Sequence, residues 1–236
     1  TVVDFSYYND TQNNNPQGTA YAVSDVNMRC GIEPKSAPLD ASAILRARGH
    51  EFRADITGTS VTLKMGPLGP HEPAAMASAP APTQWTQLAQ GTLPHAIEPG
   101  AVTNLEFWHV DQTLQLWCDG TLIAKGDYNW LPPQRVEHTL GLTIPDMLDR
   151  DAKGSVNTLA NERNYRQPVI KWEFRNGPFT LYRVGLQRDI FYQPGMRRNP
   201  DPKGLPLFAR NTYPTATMTL GRDHFFVFGD NSPESL

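Results

Sequence analysis

No stretch of this chain holds the roughly 18 consecutive apolar residues that a bilayer-spanning helix requires, and its opening residues lack the basic and apolar regions of a secretory leader. Any membrane anchor is therefore expected to lie outside this sequence. Cysteine is scarce: Cys30 and Cys118 are the only two. They allow one bridge in an oxidising compartment, and two buried thiols are the expected state. Positive charge is not in excess either. Lys and Arg number 21 against 24 Asp and Glu, giving a net charge of −3 and a pI near 6.0, which argues against nucleic acid as a partner. The six histidines, His50, His71, His95, His109, His138 and His224, show no paired ligand spacing. A zinc site would need tertiary convergence, and neither a metal nor a cofactor is expected.

What is present is a chain of 236 residues, 39% of them hydrophobic, enough for one large domain or one domain plus a fragment. Short runs of alternating polar and apolar residues recur along it. Thr1–Tyr8 is a β-rich run that ends in the polar cluster 9–16. Tyr21–Met28 reads as a strand with an irregularity around Asp25, and Leu39–Arg48 as either a short helix or a strand. His50–Ile56 and Ser60–Met65 alternate clearly, and Thr57-Gly58-Thr59 joins them as a hairpin turn. The stretch 66–82 carries Pro67, Pro70, Pro73, Pro80 and Pro82, a composition that supplies neither strand nor helix and predicts a loop. Thr83–His95, with Trp85 and Leu88, leads back as a strand. Later, Thr139–Ile144 is a strand candidate and 145–167 a polar loop, while Val169–Phe174 and Phe179–Tyr192 predict two closing strands.

The clearest fold signal lies between Val102 and Ala124. Asn104–Val110 and Leu114–Cys118 alternate, an Asp119-Gly120 turn follows, and Leu122-Ile123-Ala124 completes a three-strand meander. Val110-Asp111 and Leu114 through Gly120 resemble the corresponding strand pair of concanavalin- and laminin-G-like jelly rolls. The expected fold class is accordingly all-β, a jelly-roll sandwich, and that likeness says little about activity. Sandwiches of this kind often bind glycans through aromatic platforms and polar loops. Trp85, Trp108, Trp117, Trp130 and Trp172 are the candidates, some of which must be core. Glycan hydrolysis is disfavoured because it needs two suitably spaced carboxylates. Glu106 and Asp111 face opposite sides of an ideal strand, and Glu173 has no acidic neighbour in register. Asp149-x-Asp151 followed by Gly154 mimics the start of a calcium loop, but Lys153 takes a ligand position and Ala160 the closing one. A solvated loop is the expectation there.

The last stretch, Thr219–Leu236, carries a different signal. Phe225-Phe226-Val227-Phe228 predicts a short buried strand, stopped by Gly229-Asp230-Asn231-Ser232-Pro233 and followed by Ser235. With the approach Leu220-Gly221-x-Asp223, this run resembles the C-terminal signature of bacterial type I signal peptidases. The resemblance implies a Ser-Lys dyad enzyme, with Ser235 on the serine whose hydroxyl bonds the catalytic lysine, and Gly229, Asp230 and Asn231 on the turn beside the active site. The dyad itself is not in the chain. Ser36-Ala37-Pro38 and Ser78-Ala79-Pro80 lack the family's methionine, and Leu181 sits where its lysine would stand, with the permanently charged Arg183 nearby. On this resemblance the chain is an extracytoplasmic piece, inactive alone. Residues 1–204 form an accessory β-sandwich and 205–236 a strand and turn of the catalytic domain. Preprotein signal peptides are the implied partners, and a membrane anchor is implied elsewhere in the parent. The alternative reading is a non-catalytic lectin-like module that binds glycans or proteins.

Overall fold

Period-two alternation puts every second side chain of a strand on one face, and ten strands of this chain use it to enclose one core. The computed structural model describes residues 22–69, 79–154, 158, 164–188 and 221–222. All but the last two belong to one compact unit, which includes Thr19–Asp189. The strands are β1 (Val26–Pro34), β2 (Asp40–Ala47), β3 (His50–Thr57), β4 (Ser60–Pro67), β5 (Thr86–Thr92), β6 (Thr103–Val110), β7 (Thr113–Cys118), β8 (Thr121–Asp127), β9 (Val169–Arg175) and β10 (Phe179–Arg188). They form two antiparallel five-stranded sheets, in the orders β10-β1-β6-β7-β8 and β5-β4-β3-β2-β9. The all-β jelly-roll expectation holds for these residues. The predicted meander is β6, β7 and β8. The predicted hairpin is β3 and β4, with Gly58 at φ 57 in its turn, a conformation that suits glycine.

The inner faces meet residue by residue. Val26, Met28, Cys30, Ile32, Leu105, Phe107, Leu114 and Leu116 on one sheet pack against Ala41, Ala43, Leu45, Phe52, Ala54, Ile56, Val61 and Leu63 on the other. The alanines of β2 leave room for Phe52 and Phe107, so large and small residues interdigitate. Cys30 and Cys118 are free and buried in this layer, and burial pushes both thiols up to about 12. They stay protonated and chemically quiet at neutral pH.

At one edge the sheets close on each other through β5 and β8. Gly126 lies against Leu88, where an added Cβ would come within 2.7 Å of the Leu88 Cβ, and Gly91 lies against the Ile123 backbone. Gly126→Val should therefore force the edge open and cost about 2 to 3 kcal/mol, read as a lower midpoint in urea denaturation. An unchanged midpoint would show that the edge is not close-packed.

Two segments depart from the sequence expectations. Thr139–Ile144 is not a strand: α1 (Pro132–Leu140) ends there at Gly141, in the left-handed conformation, and α2 (Ile144–Lys153) begins. Pro132 and Pro133 occupy the first helical turn, where a missing N–H costs nothing. Thr143 caps α2 by accepting a hydrogen bond from the Asp146 N–H. These capping signals outweigh the brief alternation. The first part of the predicted loop 145–167 is likewise helix. Asp149 pairs with Lys153 at 2.6 Å, and Asp151 accepts from the Thr158 N–H, so both aspartates stand on a helix rather than in a loop.

His109 is fully buried on the inner face of β6, between the Ser24 carbonyl and the Tyr128 hydroxyl, each 2.7 Å away, with the Phe52 ring tilted against it at 4.5 Å. Burial, with help from the nearby Arg48, pushes its pKa down to about 3. In the unfolded chain the imidazole binds a proton near pH 6.5, and in the folded chain it does not. Between those values the unfolded state holds the extra proton, so stability falls as pH is lowered, by up to about 1.4 kcal/mol per pH unit, and is unaffected above pH 6.5. His109→Gln should flatten the decline in urea stability between pH 6.5 and 4.5 relative to the parent. Equal slopes would place the proton uptake elsewhere.

Candidate functional site

The outer face of the sheet β5-β4-β3-β2-β9 concentrates side chains that most sheets leave to water. Strand register sets their rows. Lys171, Ile44, Arg53, Lys64 and Gln87 stand side by side across the strands, as do Glu173, Ser42, Asp55, Thr62 and Gln90. β3 is the axis: its inward residues Phe52, Ala54 and Ile56 are core, which turns Glu51, Arg53 and Asp55 outward.

Arg53 organises the charges. Its guanidinium donates to Asp55 at 2.6 Å and to Ser42 at 3.1 Å, and reaches Glu51 and Glu173 at 3.5 Å each. Asp55 also accepts from Ser42 at 2.6 Å and pairs with Lys64 at 2.7 Å. Burial opposes ionisation of Asp55, yet the bonds from Lys64, Ser42 and Arg53 outweigh it and hold its carboxyl below the usual range. The hydrogen bond from Lys171, despite some burial, does the same for Glu173. Glu173 thus has an acidic residue in its own row after all, two strands away. Both carboxylates are held ionised by cations, and neither is tuned to donate a proton in glycoside hydrolysis.

One end of the face is roofed. Gly66 on β4 has no Cβ, and an added one would sit 2.5 Å from the Gln84 carbonyl and 2.6 Å from the Pro82 Cβ. That close approach lets residues 79–85 lie over the sheet. Arg46 ties the roof down by donating to the Ala79 carbonyl at 2.7 Å, and pairs through Nε with Glu51 at 2.9 Å. Glu51 is left only 1% exposed. The same crossing delivers Trp85 to the face, with the Lys64 ammonium 4.4 Å from its ring centre, a cation–π contact. The result is a partly buried ring beside a lattice of fixed donors and acceptors.

The other tryptophans divide differently. Trp130 and Trp172 pack against the core. Trp130 also joins His50 and His138 in an aromatic cluster, at 4.7 and 4.4 Å between ring centres. Trp108 and Trp117 lie on the outer face of the opposite sheet, donating to Glu106 and Gln115. No His, Cys, Asp and Glu group able to hold a metal occurs among the described residues. Of the residues read from the sequence as a site, Ser235, Gly229, Asp230 and Asn231 lie outside the described residues, as do His71, His224 and the strand Phe225–Phe228. The charged residues of β3 were missed there, although the alternation of His50–Ile56 already separates Glu51, Arg53 and Asp55 from the apolar face.

Removing one partner of a fully buried ion pair costs about 3 to 5 kcal/mol. Arg46 and Arg53 keep 14% and 19% side-chain exposure, so Glu51→Ala should cost less, about 2 kcal/mol. Chemical denaturation of this variant checks the value, and no loss at all would mean that Glu51 does not anchor the face.

No family model matches the chain, and no curated protein matches it. Among solved structures it is similar to sheep galectin-11 in complex with glycerol, at 10% identity and a TM-score of 0.35, over 71% of this chain and 92% of that one. It is also similar to the Caenorhabditis elegans galectin LEC-6, at 16% identity and a TM-score of 0.30, over 48% and 75%. A third is carbohydrate binding module CBM66 from Bacillus subtilis, at 13% identity and a TM-score of 0.31, over 48% and 65%. These findings overturn the resemblance to type I signal peptidases. No family or curated match supports it, and the similar structures named here are galectins and a carbohydrate binding module. The serine-protease reading falls with it, and so do preproteins as partners. In physical terms, a short strand-turn motif is common chemistry at any strand end, and its nucleophile and base were absent from the start. Leu181 and Arg183, read as an echo of the lysine strand, belong to the edge strand β10.

Proposed function

We propose that the chain is a non-catalytic, lectin-like β-sandwich that binds glycans on the outer face of β5-β4-β3-β2-β9. The observation that carries this reading is Trp85 standing beside the Arg53–Asp55–Lys64 lattice. A sugar presents an apolar C–H face and a rim of hydroxyls. A partly exposed indole suits the first, and charged groups locked by one another suit the second. Directional bonds between a sugar hydroxyl and an ionised group gain more than neutral ones. They cost little ordering here, because Arg53, Asp55 and Lys64 are already held in place. The same saturation of the carboxylates by cations supports binding without hydrolysis.

A glycan array followed by calorimetry tests the proposal. Trp85→Ala and Arg53→Gln should each weaken the best array ligand by about tenfold, the loss expected of one stacking contact or charge-assisted bond, with folding checked by thermal denaturation. An array that retains no glycan, or affinities unchanged in both variants, would remove this face as a lectin site.

A further inference from the structure

The opposite sheet carries a groove of about 570 Å³ on its outer face, lined among others by Arg29, Gly31, Asn104, Glu106, Asp119 and Arg183. We infer that it is a second ligand site, shaped for the carboxylate and hydroxyls of an acidic sugar. This site stands independently of the Trp85 face.

The groove is made by an irregularity between β1 and β10. Arg29 pairs with Gly185 and Gly31 with Tyr182, so Cys30 alone opposes Arg183 and Val184. Such a bulge re-aims side chains. Here it sends two successive residues to the outer side: Tyr182 donates to Glu33, and Arg183 donates to Asn104 on β6. Arg183 holds φ 48 to do so, a conformation that L-residues avoid unless the surroundings enforce it.

Two glycines supply the depth. At Gly31 a Cβ would come within 3.0 Å of the Val102 Cγ1, 3.2 Å of the Tyr182 Cβ and 3.3 Å of the Asn104 Oδ1, the atom that Arg183 bonds. Arg29 lies back over Gly185, where a Cβ would meet its Nε at 2.7 Å. Arg29 therefore occupies space vacated by a glycine of the neighbouring strand, Gly31 lets Tyr182 and Asn104 close in beside Arg183, and both arginines line one groove. Among the described residues neither guanidinium stands in an ion pair, in contrast to the saturated cations of the other face.

The facing wall is acidic and fixed. Asp119 accepts from the Asn104 backbone and side chain at 2.9 and 2.8 Å. Glu106 accepts from Trp108 at 3.0 Å and from Asn27 at 3.3 Å. Trp117 stands beside Glu106 in register on the same face. Across the sheet the groove thus runs from two cations on β10 and β1 to two anions on β6 and just after β7, with Arg29 beside Glu106 in register. A singly charged carboxylate matches the arginine wall bidentately, while neutral hydroxyls donate to Glu106 and Asp119. Inorganic sulfate offers the acidic side no such donors, and its second charge is repelled there.

NMR titration of the intact chain with D-glucuronate and with N-acetylneuraminate, each beside its methyl ester, tests the assignment, with sodium sulfate as a competitor. At least one acid should saturate with shifts confined to β1, β6, β10 and the turn at Asp119-Gly120, about tenfold tighter than its ester. Arg29→Gln and Arg183→Gly should each weaken it about tenfold. Glycine takes the φ of residue 183 without strain, so that variant keeps the fold while removing the charge. Trp85→Ala should leave this binding untouched. Equal binding of acid and ester, no saturation by about 10 mM, or full retention in both variants overturns the site. Displacement by sulfate at equal concentration would reduce it to a bare anion hole and overturn the sugar assignment.

Discussion

The register of β3 between β2 and β4 is the constraint on which the rest of this structure depends. Phe52, Ala54 and Ile56 are fully buried, and the residues between them face outward. A slip of one position would put Glu51, Arg53 and Asp55 into the core and Phe52 into water. Burying those charges in apolar surroundings is so costly that the core itself enforces the geometry of the outer face. Core and candidate site are two sides of one strand.

This coupling explains why the charged lattice is rigid. Arg53 meets four partners on three strands, and each partner is itself fixed by strand pairing. Ile44, in the same row, is only 5% exposed although it points outward, as expected beneath the apolar stems of Arg53 and Lys171. The opposite sheet uses a different device. There, a bulge leaves a groove whose two arginines stand in no ion pair among the described residues, so the two outer faces offer different chemistry on one scaffold. The first is self-neutralised beside an aromatic ring, and the second is polarised across a cleft.

Glycine positions recur as the means by which one segment crosses another. Gly66 admits the segment that carries Trp85, Gly91 and Gly126 admit the closing edge, Gly185 admits Arg29, and Gly31 admits Val102 and Tyr182. None of these crossings has a local signature, because a glycine inside a strand pattern reads only as a weak point or a bulge. The meaning comes from which neighbour arrives.

The sequence by itself determined the fold class and most of the strands. Alternation is a local property, and the meander from Asn104 to Ala124 and the hairpin at Gly58 need no distant partner to be recognised. Its polar side was equally legible in Glu51, Arg53 and Asp55, whereas the Gly-Asp-Asn run near the chain end pointed to the wrong family because a turn motif carries no long-range context. Only the tertiary structure decided which charges meet. Ser42, Asp55 and Glu173 share a row because β9 pairs with β2. Trp85 meets Lys64 because residues 79–85 lie back over Gly66, and Arg29 and Arg183 line one groove because β10 pairs with β1. The pairings of β9 with β2 and of β10 with β1 join residues more than a hundred positions apart, and what selects them is the burial of two apolar faces against each other, which no local pattern records.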